Sequence, residues 1–176
     1  IVGPSEQYYE ELLSGFRDID HLFKEAEYLE KSLKDKTSIA EESESLCETL
    51  DEKNDKSNEN NSSAITAFVF DDKTFLFTAD AGPDALIKAT QEFNLEDIFW
   101  MQIPHHGSKY NLTSDLIKYF NPSIAYVSAS GSKSYPSRAV INSFRKINCR
   151  VYSTQNGSTI HNSIDDRPGY SKAIPL

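Results

Sequence analysis

Two short stretches of the sequence end an apolar run on a side chain that can bind a metal ion. Asp80 follows the run that begins at Leu76, and His105 and His106 follow the run that begins at Ile98. Such a run indicates a buried strand, and the break after it places the polar side chain at the strand's end. Carboxylate and imidazole groups held at fixed positions are ligands for a divalent ion that activates water. Asp80 with His105 or His106 therefore makes up half of a predicted metal site.

Other arrangements that could do chemistry find less support in the sequence. A lone Asp often caps a turn and a lone His is often satisfied in a core, so only the pair favours a metal site. A Cys-His-Asp triad is the competing arrangement, but Cys149 begins a predicted buried strand without an activating neighbour. The sequence contains no His-Glu-x-x-His motif, no Gly-rich phosphate loop and no Gly-x-Ser-x-Gly elbow. We interpret His21 and His161 as structural or solvated, with His161 a candidate for contact near the site.

The elements that must position these residues alternate between strands and helices. Ser5 is predicted to cap an amphipathic helix over residues 8–29, with Gly15 as a candidate break. The predicted elements that follow are a hairpin (65–70 and 74–78), a helix (83–93), a strand (98–103), a helix (112–120) with Thr113 or Ser114 as its cap, a strand (124–128), a helix capped at residues 136–137 that runs to 147, a strand (149–153), and an Asn-Gly turn at 156–157 into 158–162. Strands that alternate with helices imply a sheet covered by helices, so the predicted class is α/β.

A polar, acidic segment sets the predicted domain organisation. Residues 34–63 are rich in Glu, Asp, Asn, Ser and Lys, a composition that buries too little apolar surface to offset the entropy of ordering. We interpret this segment as a mobile insertion, with an acidic interaction arm as the alternative. It separates an amphipathic helical segment at 1–33 from a β/α part at 64–176 that carries the Asp80 and His105 motifs.

Composition limits the function classes further. The chain has 176 residues, enough for one domain with its own core, and a net charge of −9, which opposes nucleic-acid binding unless a basic patch or a metal intervenes. Cys47 and Cys149 lie in unrelated contexts, so we predict free thiols and a cytoplasmic, reducing compartment. No run of 18 apolar residues occurs, so no membrane span is expected. The chain begins at Ile1 without an initiator Met or a signal peptide, so we expect it to be part of something longer.

The motif residues also resemble those of a known protein family. The segments Asn60–Ile65, Phe75–Ala81 and Ile103–Lys109, continued by Pro122–Ser128 and Val151–Ile160, resemble the second half of metallo-β-lactamase-fold hydrolases. The branch they resemble most is the metallohydrolase domain of DNA-uptake competence proteins and their free-standing bacterial relatives. The resemblance covers roughly residues 60 to 162.

The resemblance implies an αββα sandwich with two zinc or manganese ions at one edge. Asp80 matches the carboxylate that bridges both ions in the family, and His105 matches the last His ligand of the second ion. His105 is preferred to His106 because related branches carry this ligand two residues before a glycine. The resemblance then gives His106, Ser108 and Lys109 a role in supporting the ligands or facing the substrate.

Two departures from the family pattern bear on the prediction. The family's His-x-His-x-Asp-His motif and its following His ligand belong to the first half of the fold, and this chain does not contain them. Relatives often have Tyr-x-His-Pro where this chain has Ser134–Ser137, so Tyr135 stands without that His at a corner that faces substrate in the family.

The resulting prediction is the C-terminal half of a dinuclear zinc or manganese hydrolase. The resemblance implies that a metal-bound hydroxide attacks a phosphodiester or related ester, with nucleic acid or another phosphoester as substrate. The implied partner is the missing N-terminal half of the fold, without which this chain is expected to be inactive. The alternative is a non-catalytic binding or scaffold module that keeps the fold. A nucleic-acid-binding domain without catalysis is a third possibility, opposed by the net charge.

Overall fold

A computed structural model describes most of the chain as alternating strands and helices. The described residues are 1–17, 50, 53–129, 135–155, 159–160, 169 and 171–176. In chain order the elements are α1 (Glu6–Leu13), α2 (Asn58–Asn61), β1 (Thr66–Phe70), β2 (Lys73–Phe77), α3 (Pro83–Glu92), β3 (Trp100–Gln102), a 3₁₀ turn (His105–Gly107), α4 (Ser114–Phe120), β4 (Ile124–Val127), α5 (Arg138–Lys146), β5 (Arg150–Ser153), β6 (Thr159–Ile160) and β7 (Ser171–Lys172).

The first five strands form one mixed sheet in the order β1-β2-β3-β4-β5. β1 and β2 are antiparallel, as the predicted hairpin requires, and β2 through β5 are parallel. Helices α3, α4 and α5 lie in the connections between successive parallel strands, which is how parallel strands must be joined. The α/β class predicted from the sequence is therefore confirmed.

One face of this sheet carries the hydrophobic core. A single row of residues crosses the five strands in register and consists of Ala67, Leu76, Met101, Ala125 and Val151. The last four belong to one buried cluster with apolar side chains of α3, α4 and α5, including Leu86, Ile117, Phe120, Val140 and Phe144. The helices therefore cover this face.

The opposite face carries a row of aromatic rings, one from each strand. Each ring belongs to a sequence neighbour of a core-row residue and so points to the other side of the sheet. Successive ring centroids lie 5.7, 4.9, 5.9 and 5.0 Å apart along Phe68, Phe77, Trp100, Tyr126 and Tyr152. We call these five residues the aromatic row.

Several predicted helix boundaries are confirmed. The Ser5 hydroxyl accepts the Tyr8 N–H and begins α1, and the Thr113 hydroxyl accepts the Leu116 N–H at 3.2 Å and begins α4. α3 starts with Pro83 in its first turn, where a missing N–H costs nothing. α1 ends at Leu13, just before the candidate break at Gly15. The part of the predicted first helix beyond residue 17 lies outside the described residues.

The end of the predicted acidic insertion differs from the expectation. Residues 53–63 are joined to the fold through α2, and Asn61 within it is only 2% exposed. The Asn61 amide donates to the Ser57 carbonyl and accepts the Ala85 N–H, both at 3.0 Å. Composition indicates only how much apolar surface a segment can bury. It does not reveal order that comes from side-chain hydrogen bonds. Residues 34–49 lie outside the described residues.

The last two strands lie outside the main sheet, where β6 and β7 pair in a separate parallel sheet of two strands. The Asn-Gly turn predicted at 156–157 lies outside the described residues. The Leu176 N–H donates to the Val151 carbonyl at 2.8 Å, on the edge of β5 that faces away from β4. Among the helices that the structure describes, none has the length and apolar character needed to cross a bilayer.

Candidate functional site

The strand ends that carry the predicted ligands meet at one edge of the sheet. β2 and β3 are parallel neighbours, so the residues that follow them emerge on the same side. The His105 N–H donates to the Ala79 carbonyl at 3.1 Å, and the buried Thr78 hydroxyl donates to the Gln102 carbonyl at 2.8 Å. The loop that holds Asp80 is thus in direct contact with the turn that holds the two histidines.

The 3₁₀ turn has an unusual backbone. His105, His106 and Gly107 have φ angles of 45°, 55° and 81°, and Ala79 across from them has 46°. Non-glycine residues at such angles are uncommon, and they cluster where a site over-determines the conformation. Ala79, His105 and His106 are therefore held against their local backbone preference, whereas Gly107 adopts its angle freely.

The segment before α5 clamps this turn. The Ser137 N–H donates to the Gly107 carbonyl at 2.9 Å, and a Cβ at Gly107 would lie 2.7 Å from the Pro136 Cβ. The Tyr135 ring lies 6.1 Å from the His105 ring and nearly parallel to it, and 6.4 Å from the His106 ring. Tyr135 therefore lies beside both imidazoles.

His105 faces two polar side chains with its Nδ1 atom. The Asn60 Nδ2 lies 3.2 Å from this nitrogen and an Asp55 Oδ2 lies 3.8 Å from it. The His105 side chain is 29% exposed and the Asp55 side chain 16%. The imidazole is therefore held from its Nδ1 side.

Asp55 is the centre of this hydrogen-bond network. Its carboxylate accepts the Ser57 N–H at 2.8 Å, the Asn60 amide, and the Asn111 Nδ2 at 3.2 Å. Partial burial raises the pKa of Asp55, but the hydrogen bonds from Asn60, Ser57 and Asn111 together hold that pKa below its ordinary value. The carboxylate form is therefore the one that the fold stabilises.

Asn111 connects this network to the Asp80 loop. It is fully buried, and its Nδ2 donates to the Asp80 carbonyl at 3.1 Å as well as to Asp55. Its Oδ1 has no hydrogen-bond partner among the described residues. The Asp80 carboxylate is partly exposed, and none of the described residues donates a hydrogen bond to it. Asp80 is thus held through its backbone while its side chain stays available.

The other predicted site residues occupy different positions. His106 is exposed, and its Nδ1 lies 2.7 Å from the Ser128 carbonyl oxygen. Ser108 is 3% exposed and its hydroxyl accepts the Tyr110 N–H at 3.2 Å, so it supports the turn from inside the fold. The Lys109 ammonium lies 5.7 Å from the Tyr110 ring. His21 and His161 lie outside the described residues.

Three residues of the site were not identified from the sequence. Asp55, Asn60 and Asn111 are polar residues of ordinary type, and the first two fall in the segment interpreted as a mobile insertion. Asn60 also begins one of the segments that carry the family resemblance. That position was the only sequence signal that pointed to the network.

The available donors define what the site can do. Within the described part of the chain, no group of three or more His, Cys, Asp and Glu side chains is arranged to hold a metal ion. Asp80, His105 and His106 therefore do not form such a group by themselves. Cys149 is buried, and burial raises the pKa of its thiol to about 12, which disfavours the thiolate that a nucleophile needs. No family model, curated protein or solved structure matches this chain.

Proposed function

We propose that this chain is the C-terminal half of a metal-dependent hydrolase with the metallo-β-lactamase fold, acting on a phosphodiester or related ester. The observation that carries the proposal is the 3.1 Å hydrogen bond from the His105 N–H to the Ala79 carbonyl. It joins the loops that follow two parallel neighbouring strands. Asp80 and the histidine pair consequently share one sheet edge, where open α/β sheets bind their ligands.

The chemistry of the donors fits a zinc or manganese ion. Carboxylate oxygen and imidazole nitrogen are ligands of both ions, and the Asp80 carboxylate has no competing hydrogen bond from the described residues. Asp80 and one imidazole of the pair would hold the ion, and the remaining ligands would come from the other half of the fold. When bound, such an ion stabilises developing negative charge and activates water.

The rest of the site keeps these donors in position. Asn111 fixes the Asp80 backbone at 3.1 Å, and the Pro136 ring and Tyr135 hold the turn that carries both imidazoles. Rigid positioning of this kind is what a catalytic constellation needs, because small displacements cost rate.

The aromatic row supports the proposed partner, the N-terminal half of the same fold. The exposed fractions on this face are 59% for Phe68, 76% for Phe70 and 39% for Phe77. Exposed apolar patches of this type mark interaction surfaces, and two sheets pack face to face through such side chains. A second sheet on this face would complete an αββα sandwich and bring the missing ligands.

The test uses this chain expressed together with the residues encoded before Ile1. Hydrolysis of bis-(p-nitrophenyl) phosphate would be measured with zinc and with manganese for the wild type, Asp80→Ala and Asp72→Ala. Asp72 is a matched control, because it is an exposed residue of the β1–β2 turn. We expect metal-dependent turnover that Asp80→Ala abolishes and Asp72→Ala preserves.

Two outcomes would contradict the proposal. The first is metal-dependent activity that Asp80→Ala retains. The second is a folded wild type that binds no metal and has no activity, and whose upstream coding sequence contains no His-x-His-x-Asp-His motif. That result would favour the scaffold alternative.

A further inference from the structure

The two consecutive imidazoles face opposite kinds of hydrogen-bond partner. His106 Nδ1 lies 2.7 Å from the Ser128 carbonyl oxygen, whereas His105 Nδ1 lies 3.2 Å from the Asn60 Nδ2. A carbonyl oxygen can only accept a hydrogen bond, and an amide nitrogen can only donate one. A neutral His106 must therefore carry its proton on Nδ1, and a neutral His105 must carry its proton on Nε2.

The orientation of the Asn60 amide determines which ring nitrogen of His105 carries the proton. The same Nδ2 atom donates to an Asp55 carboxylate oxygen at close range. Rotating the amide by half a turn would place Oδ1 against that oxygen, and two acceptors would then face each other. Asp55 is itself fixed by the Ser57 N–H at 2.8 Å and the Asn111 amide at 3.2 Å. Asp55 therefore determines which end of Asn60 meets His105.

We propose that Asp55 is a positioning residue that acts through Asn60 to hold His105 in the Nε2–H tautomer, opposite to the tautomer that Ser128 gives His106. His106 Nε2 is then the open imidazole lone pair at this edge, on an exposed side chain. His105 offers an Nε2–H donor beside it.

This division of roles rests on the proposed function and sharpens it. A lone pair is what a metal ion requires, and an N–H donor is what an anionic phosphoester oxygen requires. His106 would therefore supply the imidazole ligand, and His105 would bind the substrate's charged oxygen. The roles that the resemblance implied for the two residues are reversed.

The first test measures tautomers in the metal-free chain and needs no activity. Long-range ¹H–¹⁵N spectra at about pH 8, above the range in which histidines ordinarily titrate, distinguish the protonated ring nitrogen from the unprotonated one. His105→Gln and His106→Gln assign the signals. We expect a protonated Nε2 in His105 and a protonated Nδ1 in His106. The same tautomer in both rings would overturn the proposal.

The role of Asp55 is tested by exchanging the two side chains. In the double variant Asp55→Asn and Asn60→Asp the charge and the size of the pair are unchanged, but a carboxylate replaces the amide that lies 3.2 Å from His105 Nδ1. We expect His105 to change to the Nδ1–H tautomer, while His106 and the backbone amide spectrum stay as in the wild type. Asp72→Asn is the control and should change neither ring. An unchanged His105 in the folded double variant would show that Asp55 does not position it.

The second test separates this inference from the proposed function. Zinc affinity is measured by calorimetry in the protein joined to its upstream half, with the same His→Gln variants. We expect the zinc affinity of His106→Gln to be lower than that of His105→Gln by about 10-fold or more. An equal or larger loss in His105→Gln would overturn the division of roles. A wild type that binds no zinc would overturn the hydrolase proposal, while the tautomers measured in the metal-free chain would still decide the role of Asp55.

Discussion

At the scale of single residues, the site depends on the direction of a few hydrogen bonds. Asp55 accepts from Ser57, Asn60 and Asn111, and its own N–H donates to the Tyr110 carbonyl at 2.7 Å. Removing the negative charge would weaken all three bonds to the carboxylate at once, since hydrogen bonds to ionised acceptors are the stronger ones. This single carboxylate thus couples the segment before α2 to the turn that carries the histidines.

The lowered pKa of Asp55 predicts an acid-dependent loss of stability. A carboxyl group whose pKa is lower in the folded than in the unfolded chain stabilises the fold fully above its ordinary pKa of 3.8. That contribution is lost as the pH falls from this value through the lower folded pKa. Urea unfolding of the wild type and Asp55→Asn should therefore show a stability difference that shrinks with acid below that value.

Asp72→Asn again provides the comparison, because Asp72 is exposed. Its difference from the wild type should stay nearly constant over the same pH range. A difference for Asp55→Asn that is just as constant would show that this carboxylate gains nothing from its three donors.

Gly107→Ala is expected to destabilise the fold and displace the turn. Alanine at a φ of 81° is strained by about 1–3 kcal/mol, and its Cβ would also meet the Pro136 Cβ at 2.7 Å. Gly169→Ala isolates the strain, because Gly169 has a φ of 83° and no atom of the described residues lies within 4 Å of an added Cβ. In urea unfolding Gly107→Ala should lose more free energy than Gly169→Ala. Equal losses would mean that the contact with Pro136 does not restrict the turn.

At the residue scale, positions could be predicted where a local pattern marks them. Asp80 and His105 each follow an apolar run, and the structure places them after the neighbouring strands β2 and β3. Asp55 and Asn111 have no such pattern, since their roles depend on contacts between segments 56 residues apart. The tautomers of the two histidines likewise depend on partners that no local sequence signal specifies.

At the scale of elements, α2 acts as a brace for the start of α3. The Asn61 Oδ1 accepts the Ala85 N–H at 3.0 Å, which is one of the helix N–H groups without an intrahelical partner. Gly82 cannot supply a side-chain cap, so this acceptor comes from another segment. A helix brace of this kind explains why an Asn is buried at the end of a four-residue helix.

Asn61→Ala should therefore destabilise the protein by about 1–3 kcal/mol, the cost of leaving buried groups unpaired. Asn94→Ala is the matched control, because Asn94 makes a comparable bond to the Glu96 N–H at 3.2 Å from an exposed position. The free energy of unfolding of Asn94→Ala should lie within about 0.5 kcal/mol of the wild-type value. Urea unfolding measures both, and a similar small loss in Asn61→Ala would contradict the bracing role.

Element prediction failed where long-range contacts overrode local signals. The hairpin, α3 and α4 follow from alternation, Pro83 and Thr113, all of which act locally. The order of residues 53–63 comes from bonds to α3 and to the turn, which composition does not encode. The parallel pairing of β6 with β7 likewise joins residues 12 apart, from Thr159 to Ser171, which no local signal specifies.

At the scale of the whole molecule, the sheet has one face covered by helices and one lined by aromatic rings. The α/β class could be predicted from the alternation of strands and helices. The aromatic row could not, since it requires the register between five strands. The alternation of side chains along β1 places Phe68 and Phe70 on this aromatic face, where they are exposed, whereas Tyr152 at the other end of the row is 5% exposed.

Trp100 is the only tryptophan of this chain and lies in the middle of the aromatic row, so it can report on docking at this face. When the chain is joined to its upstream half, Trp100 emission should shift to shorter wavelength and become less accessible to acrylamide than in the chain alone. Phe70→Ser should weaken the shift. Val69→Ser should leave the shift unchanged. Val69 is also exposed, at 74%, but its side chain lies on the other side of β1. Identical Trp100 spectra in both proteins would contradict docking on the aromatic row.

The most direct test of the proposed metal site is the metal content of the protein joined to the residues encoded before Ile1, measured by plasma mass spectrometry. The variants are Asp80→Ala and the exposed control Asp72→Ala. The proposed site predicts about two zinc or manganese ions per wild-type chain, as in two-metal hydrolases, with loss in Asp80→Ala and retention in Asp72→Ala. A wild type purified without metal, or full metal content in Asp80→Ala, would contradict it.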